Sequence, residues 1–311
     1  MTRYFSELVS SGVPCLFYTD FTGERFHCYK IEELALHDIE FSFNSAPHPS
    51  NAPHKPFISP IPFEEYRQKF DTVQEHIRSG NTYLLNLTQP TPIESPYNLK
   101  DIYTMANARY KLRVKDQFVC FSPEPFITME GNTIHTYPMK GTIDASVPNA
   151  IDTILKDPKE FAEHTMIVDL LRNDLGMIAH DIRVEQFRYI TTIDTGEKKL
   201  HQVSSHICGT LGEDWRTNAG ELITKLLPAG SISGTPKHKT VEIINEVEGY
   251  DRGYFTGVFG YFDGTNLHSA VAIRFIENSQ DRLVYKSGGG ITSDSKPHSE
   301  YQELIDKIYI P

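Results

Sequence analysis

The chain has 311 residues, 39 % of them hydrophobic and 23 % charged, which is ordinary globular composition and allows one large domain or two small ones. A formal net charge of −11 argues against a nucleic-acid or anionic-membrane surface, because phosphate binding needs a clustered positive field. No run approaches the roughly 20 apolar residues of a membrane span, and the cysteines (Cys15, Cys28, Cys120, Cys208) form no CxxC pair, so they read as buried or free thiols of a reducing compartment and not as a zinc site.

Met1 to Ser10 is polar and mixed, with no signal pattern, so the expected location is cytoplasmic. Cys15 to Tyr18 and Arg25 to Tyr29 read as short antiparallel strands around the turn Asp20-Phe-Thr-Gly23. Residues 46–62 hold six prolines and read as a loop or linker. The expected division is therefore 1–62, N-terminal strands and linker packed onto the core, and 63–311, the main domain. A helix over about 63–79 follows from Tyr66, Phe70, Val73 and Ile77 at helical spacing, with Gly80 just past its end. Thr82 to Thr88 reads as a strand, and 99–110 as a helix with Ile102, Met105 and Ala106 inward.

Gln117 to Phe121 reads as a strand that Ser122-Pro-Glu-Pro125 interrupts. Phe126 to Glu130 and Thr133 to Tyr137 pair across Gly131-Asn132, a favoured two-residue turn. Pro138 then removes a ladder donor and Gly141 permits a sharp turn, which leaves Lys140 at a strand end. Such a lysine is either a surface residue in a turn or, if desolvated, one that loses part of its charge and acts as nucleophile or base. The hairpin brings Glu124 to the same sheet edge; the pair is either a rim salt bridge worth under about 1 kcal/mol or a working carboxylate and amine.

Residues 158–179 carry the clearest helical pattern, with Ile167, Leu170, Leu171 and Leu175 apolar and Pro158 in the first turn. Glu160 and Glu163 lie one turn apart on one face, as dipole partners of the helix start or as ligands. Arg172-Asn173-Asp174 puts polar groups into this helix that need internal partners. Arg183 to Tyr189 and Leu200 to Ile207 read as strands, the second holding His201 and His206. The Gly- and Ser-rich loop from Pro228 to Lys237 leads into a helix with Thr235 as N-cap and Pro236 at N1, an entry that can hold anions; it is not a Walker A loop. Tyr254 to Phe262, Leu267 to Ile276 and Arg282 to Ser287 read as one antiparallel meander. Gly288, Gly289 and Gly290 then bare the backbone for close approach, and a final helix from about 298 carries Glu300, Glu303 and Lys307 opposite its apolar face.

Taken together, these stretches resemble one family, the chorismate-utilising enzymes, which include anthranilate, aminodeoxychorismate, isochorismate and salicylate synthases. The resemblance is carried by Ser122-Pro-Glu-Pro-Phe126, Pro138-Met-Lys-Gly-Thr142, the run Ala162 to Asp174, His201-Gln-Val-Ser204, the run Pro228 to Lys237, Ala272-Ile-Arg274, Gly288-Gly-Gly-Ile291 and Glu300-Tyr-Gln-Glu303. These follow the family's order over roughly residues 63 to 311.

The resemblance implies an α/β (α+β) fold of two large, mostly antiparallel sheets packed as a sandwich, helices outside and the site between the sheets. It implies a Mg2+ ion held by Glu163 and Glu303, with Glu160 and Glu300 one turn before each as outer or water-mediated partners, a donor set that suits this hard cation. It matches Arg274 to a clamp on the enolpyruvyl carboxylate of chorismate, where guanidinium geometry is apt. Tyr261, Thr235, Lys307 and the N–H groups of Gly289, Gly290 and Ile291 are the further substrate contacts it suggests, and His201 a site histidine near the ring.

Lys140 selects the branch. The equivalent residue is typically alanine in anthranilate, isochorismate and salicylate synthases and lysine in aminodeoxychorismate synthase. There it is thought to attack C2 of chorismate while an acid, here Glu124, helps the C4 hydroxyl leave, after which ammonia adds at C4 and expels the lysine. The implied activity is thus conversion of chorismate and ammonia to 4-amino-4-deoxychorismate, on the way to 4-aminobenzoate and folate. The alternatives are an anthranilate or isochorismate/salicylate synthase, or a non-catalytic chorismate-binding subunit. The chain has no Gly-x-Cys-x-Gly glutaminase motif, so ammonia is expected from solution or from a separate glutamine amidotransferase subunit. It is shorter than typical members, lacking much of their N-terminal half, so a tryptophan pocket is not expected. Leu200 stands where a histidine often precedes His201.

Overall fold

The computed structural model describes residues 1–44, 55–194, 199–280 and 282–311. Among these the elements run α1 (Thr2–Ser10), β1 (Cys15–Thr19), β2 (Phe26–Lys30), β3 (Ile39–Phe43), β4 (Phe57–Ile58), α2 (Phe63–Arg78), β5 (Leu84–Glu94), α3 (Leu99–Met105), β6 (Tyr110–Val114), β7 (Phe118–Ser122), β8 (Pro125–Glu130), β9 (Thr133–Thr136), β10 (Met139–Asp144), α4 (Ala150–Lys156) and α5 (Pro158–Gly176). They continue with β11 (His180–Asp194), β12 (Lys199–Thr210), α6 (Ala219–Leu226), α7 (Gly230–Ser233), β13 (Gly234–Thr235), α8 (Lys237–Glu248), β14 (Val258–Phe262), β15 (Leu267–Val271), β16 (Phe275–Ser279), β17 (Arg282–Ile291) and α9 (Pro297–Asp306).

The strands form two antiparallel sheets. One runs β10-β12-β9-β8-β15-β14-β1-β2, with β11 also on β12; the other runs β13-β5-β17-β16-β7-β6-β3, with β4 on β5. Leu16, Tyr18 and Phe259 of the first pack against Leu112, Phe118 and Phe275 of the second, and this apolar layer joins the sheets. Helices cover the outer faces: Phe5 of α1, Ile167 and Leu171 of α5 and Ile223 of α6 join a core with Phe17, Ile207 and Phe262, while Ile102 of α3 meets Val119 and Ile276. Residues 1–44 are built into both sheets, β1 and β2 extending the first beside β14 and β3 pairing β6 in the second. Of the Pro-rich stretch, 46–54 lies outside the described residues, and Phe57–Ile58 pairs with β5.

Several expectations need correction. Tyr254 to Ser287 is not one meander: β14 and β15 belong to the first sheet, β16 and β17 to the second. The chain crosses between sheets at 272–274, and it crosses the other way at 123–124, between β7 and β8. The two crossings lie side by side, Val271 N–H donating to Glu124 O and Phe121 N–H to the carbonyls of Ile273 and Arg274, each at 3.2 Å. Pro123 and Pro125 flank one crossing, and Arg274 takes a left-handed φ of 52° at the other. Helix α3 stops at Met105, which is exposed, because Lys111 Nζ reaches back to the carbonyls of Tyr103 and Ala106 and Tyr110 already pairs in β6. Thr235 is not an N-cap: it pairs with Leu84 as part of β13, and Pro236 caps α8. The Met1 to Ser10 stretch, read only as polar, is mostly helix α1, burying Phe5, Leu8 and Val9.

Lys140 does not sit in a turn. Strands β9 and β10 follow one another along the same side of β12, with Ser205 N–H donating to the Pro138 carbonyl at 2.9 Å between them. The register slips between Met139 and Thr142, where Gly141 takes φ 94°. Lys140 stands in that bulge, the kind of irregularity that re-aims a side chain. The three glycines are likewise inside a strand, Gly288, Gly289 and Gly290 pairing with Thr88, Leu87 and Asn86.

Candidate active site

A cavity of about 150 Å3 opens where the crossings, the end of β17 and helices α5, α7 and α9 meet, and its walls include Glu124, Lys140, Glu163, Gly290, Glu303 and Lys307. Six expected site residues thus converge from parts of the chain up to 183 positions apart, Glu124 to Lys307.

Helix α5 presents the first carboxylates. Asp157 caps it, accepting from Lys159 and Glu160 N–H, and this fixes the turn that carries Glu160 and Glu163. Of the triplet 172–174, only Asp174 is internal, its Oδ1 2.7 Å from Lys237 Nζ, while Arg172 and Asn173 are exposed. Glu163 Oε2 takes Lys140 Nζ at 2.9 Å, and Oε1 lies 3.7 Å from Lys159 Nζ. Glu160 Oε2 is buried without a partner, against the backbone at Gly141, where an added Cβ would come within 2.7 Å of it. Burial and the neighbouring Glu163 charge push the Glu160 carboxyl above its ordinary range.

Helix α9 presents the second pair. Glu303 Oε1 lies 2.6 Å from Lys307 Nζ, which also donates to Gly288 O at 2.8 Å. Burial would raise the Glu303 carboxyl, but Lys307 and the further cations outweigh it and hold it below its ordinary range. Burial lifts that of Glu300. A Cβ on Gly289 would meet Glu303 Oε1 at 3.3 Å and Glu300 Oε2 at 3.4 Å, so the bare strand lets α9 lie close.

The lysine differs from expectation in charge. Burial pulls Lys140 down, but the Glu163, Glu303 and Glu160 carboxylates together outweigh it, so its ammonium is held above the ordinary lysine value. It stands as a cation in the ligand-free chain. Glu124 behaves in the opposite way. Its side chain meets Ser231 Oγ, not Lys140, and burial raises its carboxyl in spite of Ser231 and the Lys307 and Arg274 cations. The raised value favours the protonated acid.

Arg274 lines an adjoining groove of about 530 Å3 that shares Glu303 and Lys307 with the cavity. Its Nε is buried without a partner, and its guanidinium lies over the Tyr309 ring. Of the expected residues that do not line the cavity, three are engaged elsewhere in the fold. Tyr261 packs on Phe41 at 5.2 Å, and Phe41 in turn borders the apolar layer between the sheets. Thr235 turns its carbonyl to Tyr83 N–H within the strand pairing. His201 Nδ1 lies 3.0 Å from Thr192 Oγ1 on the neighbouring strand. The histidine nearest Lys140 is instead buried His164, whose Nε2 lies 2.7 Å from Ser205 Oγ and whose Nδ1 lies 3.3 Å from Lys140 O. The glycine amides also divide. Thr88 N–H turns away from β17 to Glu248 and Asn86 O turns away to Arg252, so the opposite residues Gly288 and Gly290 point away from β5 as well. Gly290 N–H is therefore open to a ligand, whereas Gly289 and Ile291 turn toward β5.

Asn86, Ser231 and Ser233 also line the cavity and were not singled out from sequence. Asn86 is the polar residue among Leu84, Leu85 and Leu87, a signal that could have marked it.

For Mg2+, the four carboxylates of α5 and α9 are hard oxygen donors of the right kind, and Glu160 Oε2 lacks a partner. In their present arrangement no three His, Cys, Asp or Glu side chains among the described residues converge closely enough to hold an ion. The carboxylates Glu163 and Glu303 are instead each paired with a lysine.

The profile of the chorismate binding enzyme family matches residues 21–310. An uncharacterized PabA-like protein of Haemophilus influenzae is 47 % identical over 302 residues, 96 % of this chain and 92 % of that protein. Aminodeoxychorismate synthase component 1 of Bacillus subtilis is 30 % identical over 270 residues, 81 % of this chain but only 56 % of that protein. The solved structure of anthranilate synthase component I from Streptococcus pneumoniae superposes with a TM-score of 0.69 at 26 % identity, over 86 % of this chain and 60 % of that one. Among the described residues no helix is long and apolar enough to cross a membrane.

Proposed function

Because the chain belongs to the chorismate binding enzyme family, we propose that it converts chorismate and ammonia to 4-amino-4-deoxychorismate as an aminodeoxychorismate synthase component. The observation that carries this reading is that Lys140 and Glu124 line the same cavity, an amine and a carboxyl whose burial raises it above the usual range.

Chorismate is a small dicarboxylate. Arg274 and Lys307 offer cations to its carboxylates, and Gly290 offers an open N–H. Glu163 and Glu303 would hold Mg2+, with Glu160 and Glu300 behind them; the ion would supply charge neutralisation and orientation of the ring carboxylate. Lys140 would first give its ammonium proton to solvent; the free amine then adds at C2, the ring double bonds shift, and the C4 hydroxyl leaves as water with the proton of Glu124. Ammonia then adds at C4, sheds a proton to the Glu124 carboxylate, and the reverse shift expels Lys140. One displacement becomes two easier ones. The relative's designation as component 1 supports a separate ammonia source, and a glutamine amidotransferase subunit is the chemistry that fits.

The test is an assay of chorismate with Mg2+ and ammonium, products separated by chromatography, on the wild type and Lys140→Ala. The wild type should yield 4-amino-4-deoxychorismate and the variant should lose most of it. Anthranilate or isochorismate from the wild type would move the chain to another branch of the family. Chorismate binding without turnover would make it a binding subunit.

A further inference from the structure

Glu163 and Glu303 line this cavity, with Glu160 and Glu300 one turn before each, yet among the described residues no three carboxylates converge. The reason lies in what sits among them. Lys140 Nζ is 2.9 Å from Glu163 Oε2, and the Lys140–Gly141 backbone lies against Glu160. Across the cavity, Glu303 is engaged by Lys307. Glu163 is only 13 % exposed, so it could not stand as an unpaired anion without large cost. Lys140 is 34 % exposed, on a flexible stem in a strand bulge, and has room to swing.

We propose that Lys140 is the stand-in cation of the carboxylate site, and that Mg2+ enters by displacing its ammonium from Glu163. An ion bound at the usual Mg2+–oxygen distance of about 2.1 Å from Glu163 Oε2 would stand roughly 4 Å from an ammonium that kept its 2.9 Å contact with the same oxygen, and at that range in a half-buried site a divalent and a monovalent cation repel strongly. The exchange has a second effect. The lysine that leaves Glu163 lines the same cavity as Glu124, so metal entry releases the side chain of the proposed nucleophile, which can then give its proton to solvent. The same residue keeps the ligand-free site neutralised and withholds its own amine until the metal arrives.

The inference rests on the reading of Glu163 and Glu303 as metal ligands, and the experiment separates the two. Mg2+ affinity is measured by titration calorimetry, without chorismate, on the wild type, Lys140→Met and Lys159→Met. Lys159 also lies near Glu163, at 3.7 Å, but is half exposed and outside the cavity wall, so it controls for a general change of charge. Lys140→Met should bind Mg2+ at least about tenfold more tightly than the wild type, and Lys159→Met within about threefold of it. Equal affinity in the wild type and Lys140→Met overturns the displacement while leaving the metal site standing. A matching gain in Lys159→Met reduces the effect to net charge and also overturns it. No Mg2+ uptake by any of the three, even with chorismate added, removes the metal assignment and the inference together.

Discussion

Glu124 sits where the chain leaves one sheet for the other, and its surroundings decide its charge. Burial raises its carboxyl above the usual range, while the Ser231 hydroxyl and the Lys307 and Arg274 cations pull it back. A raised value means that the acid stays protonated to higher pH than an ordinary glutamate. If Glu124 protonates the leaving hydroxyl, kcat/KM falls as pH rises through that value. Ser231→Ala removes a donor that favours the carboxylate, so the alkaline limb should move to higher pH; a pH profile showing it unmoved or lowered would count against this role. Glu124→Gln should lower kcat by about a hundredfold to ten-thousandfold. Glu124 and Lys140 were legible in sequence because a proline-broken strand and a bulge-forming glycine flank them. Ser231, the partner of Glu124, was not: nothing in Ser-Ile-Ser says which hydroxyl faces a carboxyl 107 residues away.

At the scale of elements, β5 shows how tertiary context overrides a local signal. Its sequence reads as a strand only to Thr88, because Pro90 and Pro92 follow, yet the strand runs to Glu94. The flank of β5 away from β17 is paired by β13 and β4 only near its ends. Proline there removes no bond of the ladder with β17, and Pro92 still accepts from Ser59 N–H through its carbonyl. Thr88 N–H on the same flank donates instead to Glu248 Oε1 at 2.8 Å. Glu248 and Arg252 are almost fully buried as an ion pair, and Arg252 also donates to the carbonyls of Ile232 and Asn86. This pair fastens α8 to the strand that carries Asn86 into the cavity. Glu248→Ala strands a buried guanidinium and should cost about 3–5 kcal/mol, whereas Thr88→Val should cost about 1 kcal/mol. Urea unfolding of both variants checks the ratio. Similar midpoints would mean that the pair adds nothing beyond one hydrogen bond. Helices α2, α5, α8 and α9 and the β8–β9 hairpin were readable because each repeats its period for several turns or pairs around a short turn. The assignment of β14–β15 and β16–β17 to different sheets was not, since alternation names a strand but not its partners.

The whole molecule is organised around the two adjacent crossings, which tie the sheets at the point where the site forms. Glu124 and Arg274 stand on the crossings themselves, β10 brings Lys140 from the first sheet, and β17 brings Gly290 from the second. A ligand that touches all of them bridges both sheets, so it cannot stabilise one without the other. The chain carries a natural reporter for this. Trp215 is its one tryptophan, 1 % exposed, with its indole N–H donating to Gly131 O at the β8–β9 turn of the first sheet. Far-UV circular dichroism reports both sheets. If the apolar layer and the crossings couple them, tryptophan fluorescence and circular dichroism should follow one urea transition, in spite of the chain's length. Mg2+ and chorismate together, each at about a hundred times its dissociation constant, should shift both signals equally, by about 5 kcal/mol, about 2.7 kcal/mol from each. Two separated transitions, or a ligand shift confined to one signal, would mean that the sheets unfold independently and that the site belongs to one of them.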